Sequence, residues 1–364
     1  MNYSARLQAL QKEFVRLGFD ALLIAHLPNV TYLCGFTGSS GVLLISPSGG
    51  VFLTDGRYKE QARAEVKVAK VVIGQRSALV SAAEWLGTRR KSPKSKGLKL
   101  GIEGEHLTVA ERRRLVSMLP KHVSVREAPP LTERARMIKD ADEIALIRDA
   151  VRVGAGLFDE AVVRIRPGAS EVEVAAQMEF AARKAGADGM SFETIIASGV
   201  RSALPHGRAS STRIAAQGFV VCDFGVILHG YCSDRTRTVY VGSATEDARR
   251  VYGAVLEAQL AAIDAVRPGA SVGSVDQAAR KVLRKNGLAK YFTHSTGHGV
   301  GLEIHEAPRV AKGQPELLHP GMVITVEPGV YLPGKWGVRI EDMVVVTEHG
   351  CEVLDPTRKE FIVI

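Results

Sequence analysis

The sequence predicts an α/β domain followed by an α+β domain built from two related halves. Three observations carry this. At 364 residues the chain is long for a single hydrophobic core, so two domains are expected. Short β-branched runs alternate with helical patterns over roughly the first third. Beyond that, the segment Arg166-Pro-Gly-Ala-Ser170 recurs as Arg267-Pro-Gly-Ala-Ser271, the mark of an internal repeat.

In the first domain, Ser4 to Leu17 has apolar residues at helical spacing. The runs Ala21 to Ile24, Gly41 to Ile45 and Gly50 to Leu53 read as strands. Helices are expected over Ser81 to Thr88 and Thr108 to Leu119, with a strand Leu98 to Ile102 between them. The adjacent prolines of Pro129 to Thr132 punctuate the chain before a long helical pattern, so the domains are drawn as 1–130 and 131–364.

In the second domain each copy of the repeat follows one helical pattern and precedes another, Glu171 to Ala185 and Val272 to Asn286. Ser170 and Ser271 stand where an N-cap belongs, with Gly168 and Gly269 just past the preceding helix. Each half then ends in strands: Phe219 to Phe224 with Thr236 to Val241, and Val323 to Val326 with Val338 to Val346. Antiparallel sheet covered by helices is the expected architecture.

Composition excludes several classes. The formal charge of +9 permits weak attraction to anionic partners, but the basic residues are scattered. Their densest cluster, Arg89 to Lys99, reads as a surface loop, and no basic and aromatic interleaving suggests a nucleic-acid partner. Cys34, Cys222, Cys232 and Cys351 form no CxxC pair and no disulfide framework. The start is polar, and no stretch approaches the length of a membrane span. A reduced, cytoplasmic protein without a membrane partner is expected. There is no GxGxxG at a strand-turn-helix unit, no GxxxxGK[ST], no serine elbow and no HExxH.

What remains is a set of carboxylates and histidines. Asp223 and Asp234 lie in VCDFGVILHGYCSDRTRT, among residues that place them on buried or half-buried strands. A carboxylate there needs a partner. Arg235 or Arg237 would serve as a plain salt bridge, and a metal cation would serve as well. Glu327 in VITVEPG and Glu341 in GVRIEDM form a second pair in the other half. A pseudo-twofold arrangement would gather four carboxylates at one centre, where repulsion demands compensating positive charge. Two divalent cations fit that need better than arginines alone.

His298, between glycines in THSTGHGVGLEIHE, suits a ligand delivered from a loop, with glycines 297, 299 and 301 allowing close approach and unusual dihedrals. One imidazole with four carboxylates admits Mn²⁺, Co²⁺, Fe²⁺ or Zn²⁺, and Ca²⁺ less readily. His206 and His305 stand in corresponding places of the two halves and can donate to charge developing on a carbonyl oxygen. His294 reads as structural, and Glu306 as a pocket or cap residue.

These motifs resemble the pita-bread metallopeptidases, in the proline-directed branch of prolidase and Xaa-Pro aminopeptidase, with creatinase as a relative. The resemblance covers the whole chain, with a creatinase-like N-terminal domain carrying LTDGRY at 53–58 and a catalytic domain from about residue 133. The motifs DFG…GYxSDxTRT, GHGxGLxxHE, EPG and GVRIED supply the family's five metal positions as Asp223, Asp234, His298, Glu327 and Glu341. The resemblance implies that Asp223 chelates one ion and His298 and Glu327 the other, with Asp234 and Glu341 bridging. It implies Glu327 as general base, a water shared by the ions as nucleophile, and His206 and His305 steadying the substrate carbonyl. Thr236 and Arg339 would orient the bridging carboxylates.

The resemblance further implies two divalent ions per chain (manganese, cobalt or zinc), short proline-containing peptides as substrates, and a homodimer whose N-terminal domain limits access to the cleft. The expected activity is that of an Xaa-Pro aminopeptidase. The alternatives are an Xaa-Pro dipeptidase, a creatinase-like or methionine-aminopeptidase-like hydrolase, and a non-catalytic binding protein on the same fold.

Overall fold

The structure is a computed structural model whose described residues are 1–88, 97–355 and 357–364. Of the basic cluster expected as a loop, residues 89–96 lie outside the described residues. The chain divides into two compact units, Met1–Arg136 and Met137–Ile364.

The first unit runs α1 (Tyr3–Arg16), β1 (Ala21–Ile24), α2 (Leu27–Cys34), β2 (Val42–Ser46), β3 (Gly49–Asp55), α3 (Lys59–Glu65), β4 (Ala69–Gly74), α4 (Ala78–Thr88), β5 (Leu98–Glu103), α5 (Val109–Met118), β6 (Val123–Ala128) and α6 (Leu131–Arg136). Its six strands form one sheet in the order β4-β3-β2-β1-β5-β6. The centre is antiparallel, β1 with β2 and β2 with β3, while the flanks are parallel. Leu23, Leu44, Leu53 and Leu100 bury one face with Ala82, Ala83 and Leu115 of the covering helices. The edge strands β4 and β6 and the short α2 and α3 escape the sequence pattern, because half-buried strands and helices of one or two turns carry little periodicity. The unit extends beyond the boundary expected at residue 130, because Arg136 is buried and donates to Asn29 at 2.7 Å.

The second unit runs α7 (Ala141–Arg164), α8 (Glu171–Lys184), β7 (Gly189–Met190), β8 (Ile195–Ser198), β9 (Gly218–Phe224), β10 (Val226–Leu228), β11 (Tyr231–Cys232) and β12 (Arg235–Val241). The pattern then repeats as α9 (Glu246–Asp264), α10 (Val272–Lys285), β13 (Gly297–Gly299), β14 (Glu306–Val310), β15 (Val323–Val326), β16 (Gly329–Leu332), β17 (Trp336–Arg339), β18 (Asp342–Val346) and β19 (Cys351–Val353).

The repeated segment does the same work twice. Ser170 caps α8 in a capping box with Glu173, and Ser271 caps α10 by accepting from Ser274 N at 3.2 Å. Gly168 and Gly269 both take positive φ, 88° and 78°, as a left-handed residue after a helix requires. Their N–H groups donate to Ile214 O and Leu318 O, each at 2.9 Å. The two pairs of helices pack on two antiparallel sheets, β12-β9-β8 and β14-β13-β15-β18-β19. Each half has its own apolar core, with Leu157, Phe158, Met178 and Val220 in the first and Val251, Val255, Leu283 and Ile324 in the second. Fully burying one such side chain contributes about 1.5–3 kcal/mol.

One expected element is corrected. Val338 to Val346 is two strands, since β17 pairs with β16 and β18 with β15. Ile340 and Glu341 cross between them, and Glu341 N donates to Thr236 O of the other half at 3.1 Å. The apolar run is continuous because both strands are buried, which is why the break is invisible in the sequence.

Candidate metal centre

Two antiparallel ladders bring four carboxylates together within the second unit. Asp223 lies on β9 opposite Thr236 of β12. The turn between β10 and β11, His229-Gly230, has φ of 50° and 81°, a tight hairpin that returns the chain so that Asp234 precedes β12. Glu327 leaves β15 and Glu341 enters β18, whose register pairs Val326 with Asp342. Asp234 and Glu341 are buried, at 6% and 2% exposure.

His298 sits on β13, between Arg309 of β14 and the β15 strand. The glycines beside it are there for close approach. A Cβ on Gly297 would lie 2.0 Å from Thr325 O, and one on Gly299 2.2 Å from Ala307 O. Glycines 297, 299 and 301 all keep negative or extended φ, so the unusual dihedrals expected for them are not used.

The ligand atoms of Asp234, His298 and Glu341 lie within 4.8 Å of one another. His298 Nε2 is 3.5 Å from both Asp234 Oδ2 and Glu327 Oε1. Its Nδ1 is 3.0 Å from Gly299 O, a geometry that assigns the ring proton to Nδ1. Burial pushes the imidazole down to about 4, so it is neutral at pH 7. A neutral Nε2 lone pair therefore faces carboxylate oxygens, an arrangement that a cation between them would make favourable.

The charge balance points the same way. Burial first, and then repulsion from Asp223 and Glu327, pushes the Asp234 carboxyl well above its ordinary range. Glu341 is pushed up by burial and by Asp234, Glu327 and Asp223. Burial raises Glu327 to about 7, with Arg339 pulling the other way. Arg339 is the guanidinium set against this cluster, hydrogen-bonded to Asp223. The plain salt-bridge partners considered for Asp234 are engaged elsewhere: Arg235 binds Asp355, and Arg237 binds Asp342 at 2.7 Å. Four carboxylates against one guanidinium and a neutral imidazole leave room for two divalent cations.

Thr236 and Arg339 sit behind the carboxylates. Thr236 Oγ1 donates to Glu341 Oε2 at 2.8 Å, and Arg339 Nε donates to Thr236 Oγ1 at 3.0 Å. Tyr331, which no sequence motif marks, accepts from Arg339 Nη1 and stands 2.9 Å from His294 Nε2. That contact gives His294 a place in the network.

The centre opens into a cleft of about 600 Å³. His206 and His305 both line it, as do Phe192 and Ile304. The His305 ring lies edge-on to His298, with centroids 4.4 Å apart. Arg309 also lines the cleft, exposed and without an ion pair among the described residues. Nothing local in the sequence distinguishes it from a solvated surface arginine.

Residues 145–348 match metallopeptidase family M24, and residues 6–138 match the creatinase/prolidase N-terminal domain. A solved structure of an Xaa-Pro dipeptidase from Bacillus anthracis superimposes with a TM-score of 0.93 at 38% identity, over 100% of both chains. The Xaa-Pro dipeptidase of Pyrococcus horikoshii is 37% identical over 348 residues, covering 94% of each chain. An X-Pro aminopeptidase from Thermotoga maritima gives a TM-score of 0.87 at 36% identity, over 96% of this chain and 99% of its own. Names of dipeptidases and prolidases outnumber aminopeptidases among the similar proteins.

Proposed function

The chain belongs to metallopeptidase family M24, with the pita-bread catalytic fold, and from that membership we propose that it hydrolyses Xaa-Pro dipeptides at a two-metal site. The observation that carries the reading is the neutral His298 Nε2 aimed at carboxylate oxygens 3.5 Å away. The same cluster speaks for a catalyst rather than a binding module, because all five positions keep ligating side chains.

Asp223, Asp234, His298, Glu327 and Glu341 would hold two divalent ions. The ions supply Lewis acidity, making water nucleophilic near neutral pH and polarising the scissile carbonyl. Glu327 takes the proton of the attacking water and returns it to the proline nitrogen as the C–N bond breaks. His206 and His305 donate to the carbonyl oxygen as charge develops there. Burial pushes His305 down, so at pH 7 it donates as a neutral imidazole. Thr236 and Arg339 keep Glu341 and Asp223 in place through the hydrogen bonds already described.

The sequence ranks the aminopeptidase first, and the relatives reverse that order. Arg309 supports the reversal. A dipeptide carries a carboxylate one residue beyond the cut, and a guanidinium in the cleft with no ion pair among the described residues suits it. The reading includes a homodimeric, cytoplasmic enzyme acting on short proline peptides, with manganese the first metal to try. No described helix is long and apolar enough to cross a membrane.

The test is cleavage of matched Xaa-Pro and Xaa-Pro-Yaa peptides by protein loaded with Mn²⁺, Co²⁺ or Zn²⁺. Cleavage of the dipeptide alone is the expected result. Release of the first residue from the longer peptide would make it an aminopeptidase, and inactivity on both at full metal occupancy would defeat the proline reading.

A further inference from the structure

The metal centre does not account for every buried charge around the cleft. Lys139, at the start of the catalytic unit, and Glu306, beside His305, form an ion pair at 3.1 Å with side chains only 1% and 6% exposed. We propose that Lys139 is a positioning residue that fixes His305 over the reacting carbonyl by locking the loop of residues 301–305 through Glu306. The inference rests on the peptidase reading of the cleft.

The loop is closed by the first residue of β14. Glu306 Oε1 accepts from Glu303 N at 3.1 Å, and Glu306 Oε2 accepts from Lys139 Nζ at 3.1 Å. Gly301 leaves the space this needs, since a Cβ there would come within 2.7 Å of both carboxylate oxygens. Gly301 O in turn accepts from Cys232 N at 2.8 Å, fixing the other end of the loop. Lys139 is itself held beside β15, with its N–H on Gly321 O at 2.9 Å and Ile138 bridged to Met322. The His305 ring, by contrast, makes no hydrogen bond among the described residues and touches His298 edge-on. Its orientation is therefore set by the backbone that carries it, and that backbone is pinned by Glu306 and Lys139. A buried ion pair adds little net stability, because desolvation offsets the attraction, but it fixes geometry well.

Lys139→Met keeps the aliphatic stem and removes the charge. It is expected to lower kcat on a proline dipeptide by roughly tenfold to a hundredfold while KM moves less than about threefold, the cost of misplacing a group that acts in the transition state. Lys139→Arg should recover most of that loss. In a His305→Ala background, Lys139→Met should cost less than about twofold, since the residue it acts through is gone. An equal loss in both backgrounds overturns the proposal.

If the single variant does not fold because Glu306 is left unpaired, Lys139→Met with Glu306→Gln removes both charges and carries the test. It should show the same loss of kcat, and full activity there overturns the proposal. A second readout needs no substrate. In zinc-loaded protein the His305 imidazole resonance, identified by its absence in His305→Ala, should shift or broaden in Lys139→Met while that of His229 does not. An unmoved His305 resonance overturns the proposal. Wild-type inactivity on proline dipeptides with a displaced resonance defeats the peptidase reading alone.

Discussion

Glu341 combines two opposing demands. Its carboxylate is 2% exposed, held by Thr236 and pushed towards the neutral form by burial and by the other acids. A charged ligand of this kind destabilises the protein until a cation arrives. Glu341→Gln keeps the shape and the bond from Thr236 while removing the charge. Metal-free Glu341→Gln is therefore expected to melt a few degrees above metal-free wild type at pH 8, while its peptidase activity falls by roughly a thousandfold or more. Calorimetry and the dipeptide assay check the two halves. A lower Tm in the metal-free variant would contradict the charge balance drawn for the centre. At this scale the sequence was informative: the four acids and His298 were named from their motifs. Tyr331 and Arg309 were not, since a lone aromatic or arginine outside a motif has no local feature that separates structure from chemistry.

Among the elements, the repeat was legible because caps and turns are local. Ser170 and Ser271 accept from their own helices, so the sequence around them suffices to place them. The break between β17 and β18 was not legible, since it depends on which partner strand each half of an apolar run finds. Glycines separate the same way. Gly297→Ala would drive a Cβ to 2.0 Å from the Thr325 carbonyl, backbone that two ladders hold. It is expected to cost at least about 1–3 kcal/mol by overpacking and to displace His298. Gly253→Ala, exposed in the interior of α9 with nothing within 4 Å of the new Cβ, is expected to stabilise by about 0.5–1 kcal/mol. Denaturant melts of both variants, with metal titration of the first, measure the contrast.

For the whole molecule, metal binding and folding are linked through protons. Glu327 ordinarily titrates near 4.5 and is raised to about 7 in the folded, metal-free protein. Between those values the folded state holds more protons than the unfolded one, so the stability of the metal-free protein falls as pH rises. Asp234 and Glu341 are raised as well and act in the same direction. Cations remove the penalty, and protons compete with them at low pH. The gain in Tm on adding Mn²⁺ is thus expected to be small at pH 5 and several degrees larger at pH 8. An equal gain at both would count against these carboxylates as the ligands. By itself the sequence determined the two-domain plan, the repeated halves and the candidates for the ligating side chains, because caps, turns and long motifs are written in consecutive residues. Only the tertiary structure decided that Glu341 crosses from one sheet to the other, that Arg235 and Arg237 are engaged away from Asp234, and that Lys139 meets Glu306. Those outcomes depend on which distant segments pack together, and pairing across 100 residues or more leaves no periodic trace in either partner.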